Sequence, residues 1–121
     1  MKKKALTVDD SKTMRDMVSF TLQGAGFDVI EAEDGKHAIE VLNNQKVDVV
    51  ITDLNMPNMN GIELVRNLRA NSNYKFTPIL MLTTESEGSK KEEGKLAGAT
   101  GWIVKPFNPE KLIQVVNKVC E

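Results

Sequence analysis

The sequence predicts an α/β domain with a parallel β-sheet, in which about five strands alternate with helices. Two observations point to this class. Short apolar runs recur along the chain, and most are continuous, as expected for parallel strands that are covered on both faces. Between these runs, apolar residues recur at the spacing of an amphipathic helix. Because right-handed crossovers join parallel strands, we expect helices on both faces of the sheet.

Five apolar runs are the predicted strands, at residues 5–8, 27–30, 49–51, 79–82 and 102–104. The second run differs from the others because Asp28 and Glu31 lie among its apolar residues. Charged side chains are typical of a strand that has a neighbour on one side only. We therefore place the second strand at an edge of the sheet.

The first and last helices have the clearest patterns. The apolar positions of the first helix are Met14, Met17, Val18, Thr21 and Leu22. The last helix repeats this spacing and has a strong start signal, with Asn108 as N-cap and Pro109 at the first helical position. Both segments are predicted to pack one face against the sheet.

The helices in the middle of the chain have weaker signals. Short helices are predicted after Gly35 and after Gly61. The segment 86–95 is polar and contains Gly88 and Gly94, which weaken a helix. We expect a marginal and mobile helix in that segment.

Composition favours one compact domain over residues 1–121. Hydrophobic residues make up 40% of the chain and charged residues 27%, which argues against disorder. The formal net charge is -1, so neither a nucleic acid nor a membrane surface is an expected partner. No apolar leader or membrane-spanning stretch is present in the sequence. Because Cys120 is the only cysteine, we expect a cytoplasmic protein without an internal disulfide.

Polar and charged residues follow four of the predicted strands. They are Asp9, Asp10 and Ser11 after the first strand, Asp53 and Asn55 after the third, Thr83, Thr84 and Glu85 after the fourth, and Lys105 and Pro106 after the fifth. Parallel sheets bind ligands outside the carboxyl ends of their strands, so these residues are expected to meet at one mouth. Taken singly, each has an ordinary explanation in helix capping, turn formation or strand propensity. Their joint placement at four strand ends favours a functional site.

Three carboxylates in one mouth repel one another unless some are protonated or a cation lies among them. Carboxylate oxygens without a nearby histidine or cysteine favour Mg²⁺, with Mn²⁺ as the alternative. Lys105 supplies a positive charge but cannot balance Asp9, Asp10 and Asp53 by itself. The sequence therefore predicts a divalent cation site. The only histidine, His37, lies in the second helical pattern and is interpreted as a surface residue.

Asp53 is the predicted nucleophile, because it ends the most apolar strand and precedes a turn that can hold it rigidly. An aspartate can attack phosphorus and form an aspartyl phosphate. Phosphoryl transfer depends mainly on positioning and on neutralising the phosphoryl oxygens. Mg²⁺, Lys105 and the Thr83 hydroxyl could each meet one of these oxygens.

Two stretches resemble the receiver domain of two-component response regulators. They are DLNMPNMNG at residues 53–61 and GATGWIVKPF at residues 98–107. The resemblance covers essentially the whole chain and is closest to the single-domain chemotaxis regulators. It implies a flavodoxin-like, doubly wound (βα)5 fold with a parallel sheet of order 2-1-3-4-5.

The resemblance also implies a role for each residue at the mouth. It implies that Asp53 is the phosphoacceptor and that the metal is bound by Asp9, Asp10, Asp53 and the backbone carbonyl of Asn55. It implies that Thr83 and Lys105 contact the phosphoryl group. Trp102 would be the switch residue that reports activation, and Asn55 and Glu85 would control the phosphoryl lifetime. Position 102 normally carries Tyr or Phe, so the tryptophan is a departure from the family pattern. Lys105 is usually followed by a cis peptide to proline.

The implied function is a monomeric signalling switch rather than an enzyme acting on outside substrates. A histidine kinase would donate the phosphoryl group, and the domain would catalyse its own phosphorylation and slow hydrolysis. The output surface would be the face made by the polar fourth helix, the fifth strand and the last helix. Because the last helix ends the chain, the expected target is a protein, such as a flagellar motor switch component, rather than DNA.

Alternatives remain at this point. A Mg²⁺-dependent phosphohydrolase with an aspartyl nucleophile usually has D-x-D-x-[TV] after a strand, whereas residues 53–57 read DLNMP and lack the second acid. A flavin-binding module is disfavoured because Asp9 and Asp10 would repel a bound phosphate. The sequence does not distinguish a motor switch from a phosphate sink or a relay intermediate.

Overall fold

A computed structural model describes residues 2–84 and 89–120 of the chain. In these residues the strands and helices alternate in the order β1 (Lys4–Val8), α1 (Lys12–Gly24), β2 (Asp28–Ala32), α2 (Gly35–Leu42), β3 (Val49–Asp53), α3 (Gly61–Arg69), β4 (Ile79–Thr83), α4 (Ser89–Ala97), β5 (Gly101–Val104) and α5 (Pro109–Val119). Residues 86–88 of the predicted mobile segment, which include Gly88, lie outside the described residues, as does Glu85. None of the described helices is long and apolar enough to cross a bilayer.

The five strands form one parallel sheet in the order β2-β1-β3-β4-β5. The predicted order and the edge position of the second strand are confirmed. That strand begins at Asp28 rather than at Phe27, because the Phe27 amide donates to Leu22 O at the end of α1. The positive φ of Gly26, +95°, turns the chain at this point.

Apolar side chains on alternating strand positions fill two layers, one on each face of the sheet. On one face, Val50 and Met81 pack with residues of α2 and α3. On the other face, Ile51 and Leu82 pack with residues of α1 and α5. The predicted placement of helices on both faces is confirmed, and the continuous apolar runs are explained by burial on both sides.

One predicted position of the first helix is wrong. Met17 was assigned to the apolar face, yet it is 49% exposed. The buried residues of α1 are Val18, Ser19 and Leu22, so the helix turns a narrower face to the sheet than the spacing suggested. A pattern of apolar residues marks a helix but does not fix its rotation to within one residue.

Two buried strand threonines differ in their hydrogen bonding. Thr52 Oγ1 donates to Asp53 O at 2.9 Å, whereas Thr7 Oγ1 has no partner among the described residues. Both side chains are fully buried. A buried hydroxyl without a hydrogen-bond partner destabilises the folded state, whereas one with a partner contributes to its stability.

We therefore expect Thr7→Val to raise the free energy of unfolding by about 1 kcal/mol, and Thr52→Val to lower it by about the same amount. Urea unfolding of both variants measures the two changes. The expectation is wrong for Thr7 if its variant loses stability as the Thr52 variant does.

Candidate active site

Three aspartates meet at the carboxyl end of the sheet. Asp9 and Asp10 follow β1, Asp53 ends β3, and one oxygen from each lies within 4.8 Å of the others. Asp9 is 1% exposed and Asp53 7% exposed, while Asp10 reaches solvent. The order of the sheet makes β1 and β3 neighbours, which brings together residues that are more than forty positions apart in sequence.

Asp53 is held by two hydrogen bonds on one carboxylate oxygen. Oδ1 accepts from the backbone amide of Leu54 at 2.9 Å and from Lys105 Nζ at 2.7 Å. The second oxygen accepts none of the hydrogen bonds found in the described residues. The loop after Asp53 brings Gly61 back against the end of β3, where Gly61 N donates to Leu54 O at 2.8 Å. The approach is so close that a Cβ on Gly61 would collide with Asp53 O.

Lys105 reaches the cluster from the end of β5. Its Nζ lies 3.7 Å from Asp9 Oδ2, which is too long for a hydrogen bond. Its backbone amide donates to Thr83 O at 2.7 Å, so the lysine is fixed to the end of β4. The bond from Lys105 to Pro106 is cis, as the resemblance implies.

Thr83 presents a second group to this mouth. In the β3–β4 pairing, Leu82 lies opposite Asp53, and Thr83 is the next residue along β4. The Thr83 side chain is 2% exposed, and its Oγ1 has no hydrogen-bond partner among the described residues. A buried hydroxyl left in this state is unusual and is available to a ligand oxygen.

Burial raises the pKa of each of the two buried aspartates of the cluster. Desolvation raises the pKa of Asp53 above its ordinary value, although the hydrogen bond and positive charge of Lys105 act in the opposite direction. Desolvation also raises the pKa of Asp9, where the Ser11 amide opposes it and the Asp53 charge adds to it. Both ionised carboxylates therefore destabilise the folded protein when no cation is bound.

The donor set fits a divalent cation. Asp9 Oδ2 is buried and accepts no hydrogen bond in the described part of the chain. The cluster contains oxygen donors only, and a hard cation such as Mg²⁺ or Mn²⁺ matches them. The three aspartates can thus hold a metal ion whose charge would relieve their repulsion.

We expect Asp53→Asn to raise the free energy of unfolding of the metal-free protein at pH 7. A raised pKa in the folded state means that Asp53 contributes most to stability when protonated, and that this contribution is lost as the pH rises through its folded pKa. The difference between the variant and the wild type should therefore be absent near pH 4 and grow toward pH 7. Urea unfolding in chelator-treated buffer measures it, and a constant difference across this range would contradict the assignment of the effect to the Asp53 charge.

The turn after Asp53 is fastened to the start of α2. Asn58, with a positive φ of 66°, donates from Nδ2 to Asp34 Oδ2 at 2.9 Å. Asp34 also caps α2 by accepting from His37 N at 2.8 Å. These bonds, with the His37 amide as the larger effect, lower the pKa of Asp34. The turn is thereby tied to α2 through Asn58 and to α3 through Asn60, which caps that helix.

Arg15 is a site residue that the sequence did not reveal. Its Nη1 donates to the backbone oxygen of Asp9 at 2.6 Å, and its Nε lies 3.1 Å from Glu31 Oε1. The guanidinium thus ties the loop carrying Asp9 and Asp10 to the edge strand. Helical spacing places Arg15 on the sheet side of α1, next to Val18 and Leu22, but no motif marks it.

The remaining predicted residues occupy varied places. Asn55 lies in the turn directly after the cluster with an exposed side chain, and Glu85 lies outside the described residues. Trp102 is half-buried on β5, opposite Met81 of β4. Ser11 is the N-cap of α1, so the capping explanation holds for that residue. His37 Nδ1 accepts from Glu33 N, away from the aspartates.

Comparison with known proteins identifies the family. The profile described as "Response regulator receiver domain" matches residues 5–117. The chain is 46% identical over 118 residues to a "Chemotaxis protein CheY homolog" of Campylobacter jejuni, which covers 96% of this chain and 91% of that protein. It is 47% identical over 111 residues to "Chemotaxis protein CheY1" of Helicobacter pylori, covering 90% of each.

Solved structures agree with the sequence matches. The structure of the chemotaxis response regulator CheY4 of Vibrio cholerae superposes with a TM-score of 0.92 and is 54% identical, covering 98% of this chain and 99% of that chain. Sequence and fold thus match over nearly the full length of both proteins. The chain belongs to the family of response regulator receiver domains.

Proposed function

We propose that this protein is a phosphorylation-dependent signalling switch, with Asp53 as the phosphoacceptor. The observation that carries this proposal is the 2.7 Å contact between Lys105 Nζ and Asp53 Oδ1 inside a cluster of three aspartates. Lysine fixes one carboxylate oxygen and leaves the other to attack. Similarity to curated chemotaxis proteins of the CheY type supports a role in chemotaxis.

The reaction begins with a phosphohistidine on a histidine kinase. The free oxygen of Asp53 attacks phosphorus, the P–N bond breaks, and the histidine nitrogen leaves with the bond electrons and takes up a proton. The Asp53 carboxylate thereby becomes an acyl phosphate. Hydrolysis later breaks the new P–O bond with water and restores the carboxylate, so each cycle consumes one phosphoryl group.

The residues around Asp53 would position and neutralise the phosphoryl oxygens. Lys105 is already 2.7 Å from Asp53 and would pair with one oxygen. The Thr83 hydroxyl, which has no hydrogen-bond partner among the described residues, would donate to another. Asp9, Asp10 and the Asn55 carbonyl would hold Mg²⁺ or Mn²⁺ together with Asp53. The ion would neutralise charge on the phosphoryl group of the donor, which the aspartates otherwise repel.

The output would pass through the face formed by α4, β5 and α5, where Trp102 lies. The expected partners are a histidine kinase as phosphodonor and a target protein such as a flagellar motor switch component. We expect the protein to be a cytoplasmic monomer that consists of a single receiver domain. Glu85 and the Asn55 side chain would adjust the lifetime of the phosphoryl group.

Labelling with radioactive acetyl phosphate in the presence of Mg²⁺ tests the proposal. The wild type should incorporate up to one phosphoryl group per chain, and a chelator should prevent this. Asp53→Asn should incorporate none, whereas Asp28→Asn, which changes an exposed aspartate on β2, should label normally. Equal labelling of the Asp53 variant and the wild type would overturn the proposal.

A turnover assay separates the switch from a phosphohydrolase. A switch should release little phosphate from small phosphate esters such as p-nitrophenyl phosphate. Sustained release of many phosphates per chain, lost in Asp53→Asn, would instead identify an enzyme that acts on outside substrates.

A further inference from the structure

Helix α4 places a glycine over two side chains of the sheet. Gly94 is buried, and a Cβ built on it would lie 3.0 Å from Met81 Sδ and 3.4 Å from Trp102 Cζ3. The same Cβ would lie 3.8 Å from Trp102 Cη2. The missing side chain of Gly94 therefore leaves room for the thioether of Met81 and the six-membered ring of the indole.

The two side chains beneath Gly94 are neighbours in the sheet. Met81 of β4 and Trp102 of β5 are opposite each other in the parallel register, and both belong to the apolar layer on the α3 side. Met81 also reaches the other way, because its Cε would lie 2.9 Å from a Cβ on Gly61. The thioether thus fills the gap between two helix glycines, and the indole occupies the remaining space under α4.

Helix α4 has few other apolar anchors. Leu96, its largest apolar residue, is 80% exposed, and the rest of the helix is mostly charged. The ion pair between Arg66 of α3 and Glu93 of α4 is exposed and 3.9 Å long, so it contributes little to holding α4. The position of α4 therefore depends strongly on what lies beneath Gly94.

We propose that Gly94 is a positioning residue that creates the seat of the Trp102 indole beneath α4. The glycine weakens the helix but admits a ring larger than the Tyr or Phe expected at position 102. Trp102 and α4 are consequently coupled, since the indole cannot leave or enter its seat without a change in the contact that holds the helix. Only the link between this coupling and signalling rests on the proposed function.

Gly94→Ala tests the seat directly in the unphosphorylated protein. At an open helical position, alanine stabilises relative to glycine, because it is the stronger helix former. At Gly94 the added methyl group should instead displace the indole, lower the urea midpoint and make the sole tryptophan more accessible. The expected signs are a red shift of the emission and a larger Stern–Volmer constant for acrylamide.

Gly24→Ala is the matched control. Gly24 also belongs to a helix, α1, but a Cβ built on it would have no atom within 4 Å. It should leave the emission unchanged and should not lower the urea midpoint. If Gly94→Ala behaves like Gly24→Ala in both measurements, the proposal is wrong. If Gly94→Ala loses stability without any change in quenching, Gly94 matters only for helix packing, and the proposal is equally wrong.

A double-mutant cycle removes the remaining ambiguity. In a Trp102→Phe background the ring is smaller, so Gly94→Ala should lower the urea midpoint less than it does beside Trp102. Equal losses in both backgrounds would mean that the methyl group collides only with Met81 and would overturn the assigned seat. These measurements need no phosphoryl donor, so they can fail while the labelling of Asp53 succeeds, and the reverse also holds.

Discussion

Replacement of Arg69 by methionine is expected to lower the free energy of unfolding by about 3 kcal/mol. The guanidinium donates from Nη1 to Tyr74 O at 2.7 Å and to Lys75 O at 3.2 Å, and from Nε to Gly98 O at 3.0 Å. Burial lowers the pKa of Arg69, which indicates that the charge has lost part of its hydration and depends on these acceptors. Methionine would keep most of the apolar packing and remove every donor.

The loss should extend beyond stability. Arg69 joins the end of α3 to the loop that enters β5, the strand followed by Lys105. Gly98 in this loop has a φ of +115° and contacts the Arg69 side chain, so the loop is shaped around the guanidinium. We therefore expect phosphorylation of Asp53 to slow as well, because Lys105 would be held less firmly.

Arg66→Met provides the matched control. Arg66 lies one helical turn before Arg69, is exposed, and makes an ion pair with Glu93 at 3.9 Å. An exposed ion pair of this length contributes little to stability, so Arg66→Met should change the free energy of unfolding by less than about 0.5 kcal/mol. Urea unfolding of the two variants gives the comparison, and equal losses would contradict the role given to the buried hydrogen bonds.

Mg²⁺ is expected to stabilise the protein by about 2.7 kcal/mol when its concentration reaches roughly a hundred times the dissociation constant. The physical reason is the repulsion among Asp9, Asp10 and Asp53, whose oxygens lie within 4.8 Å of one another. Binding to the folded state alone shifts the unfolding equilibrium by mass action. Thermal melts over a Mg²⁺ titration should show a midpoint that rises with the logarithm of concentration at high Mg²⁺.

Asp10→Ala should remove most of this response. Asp10 is exposed, so its replacement disturbs no core packing and the variant is directly comparable with the wild type. Asp16→Ala, at an exposed aspartate on α1, should keep the full response. A wild-type midpoint that does not move at saturating Mg²⁺ would show that the cluster is not a metal site.

Much of the fold could be predicted because burial on both faces of a parallel sheet leaves a direct mark on the sequence. Continuous apolar runs gave the strands, and the charges at Asp28 and Glu31 placed one strand at an edge. The predicted end of the third strand at Asp53 is confirmed, although its apolar run stops at Ile51 and the polar Thr52 and Asp53 complete β3. Polar residues at a strand end are buried here by their neighbours, which a local pattern cannot indicate.

The candidate site was predicted through its strand ends, and its supporting contacts were not. Asp9, Asp53 and Lys105 each follow or end a strand, so topology alone brings them together. Arg15 and Arg69 act through long side chains that reach backbone oxygens in loops outside their own helices. Their targets depend on three-dimensional distances that neither composition nor periodicity contains. The same is true of Gly94, whose sequence position suggested only a weak helix.

Reduction of the phosphorylated protein with borohydride, followed by peptide mass spectrometry, tests the central claim most directly. Borohydride converts an aspartyl phosphate to homoserine and so marks the residue that carried the phosphoryl group. The account predicts homoserine at position 53 after treatment with acetyl phosphate and Mg²⁺, and aspartate there when Mg²⁺ is withheld. Homoserine at Asp9 or Asp10 instead, or at none of the aspartates in fully labelled protein, would contradict it.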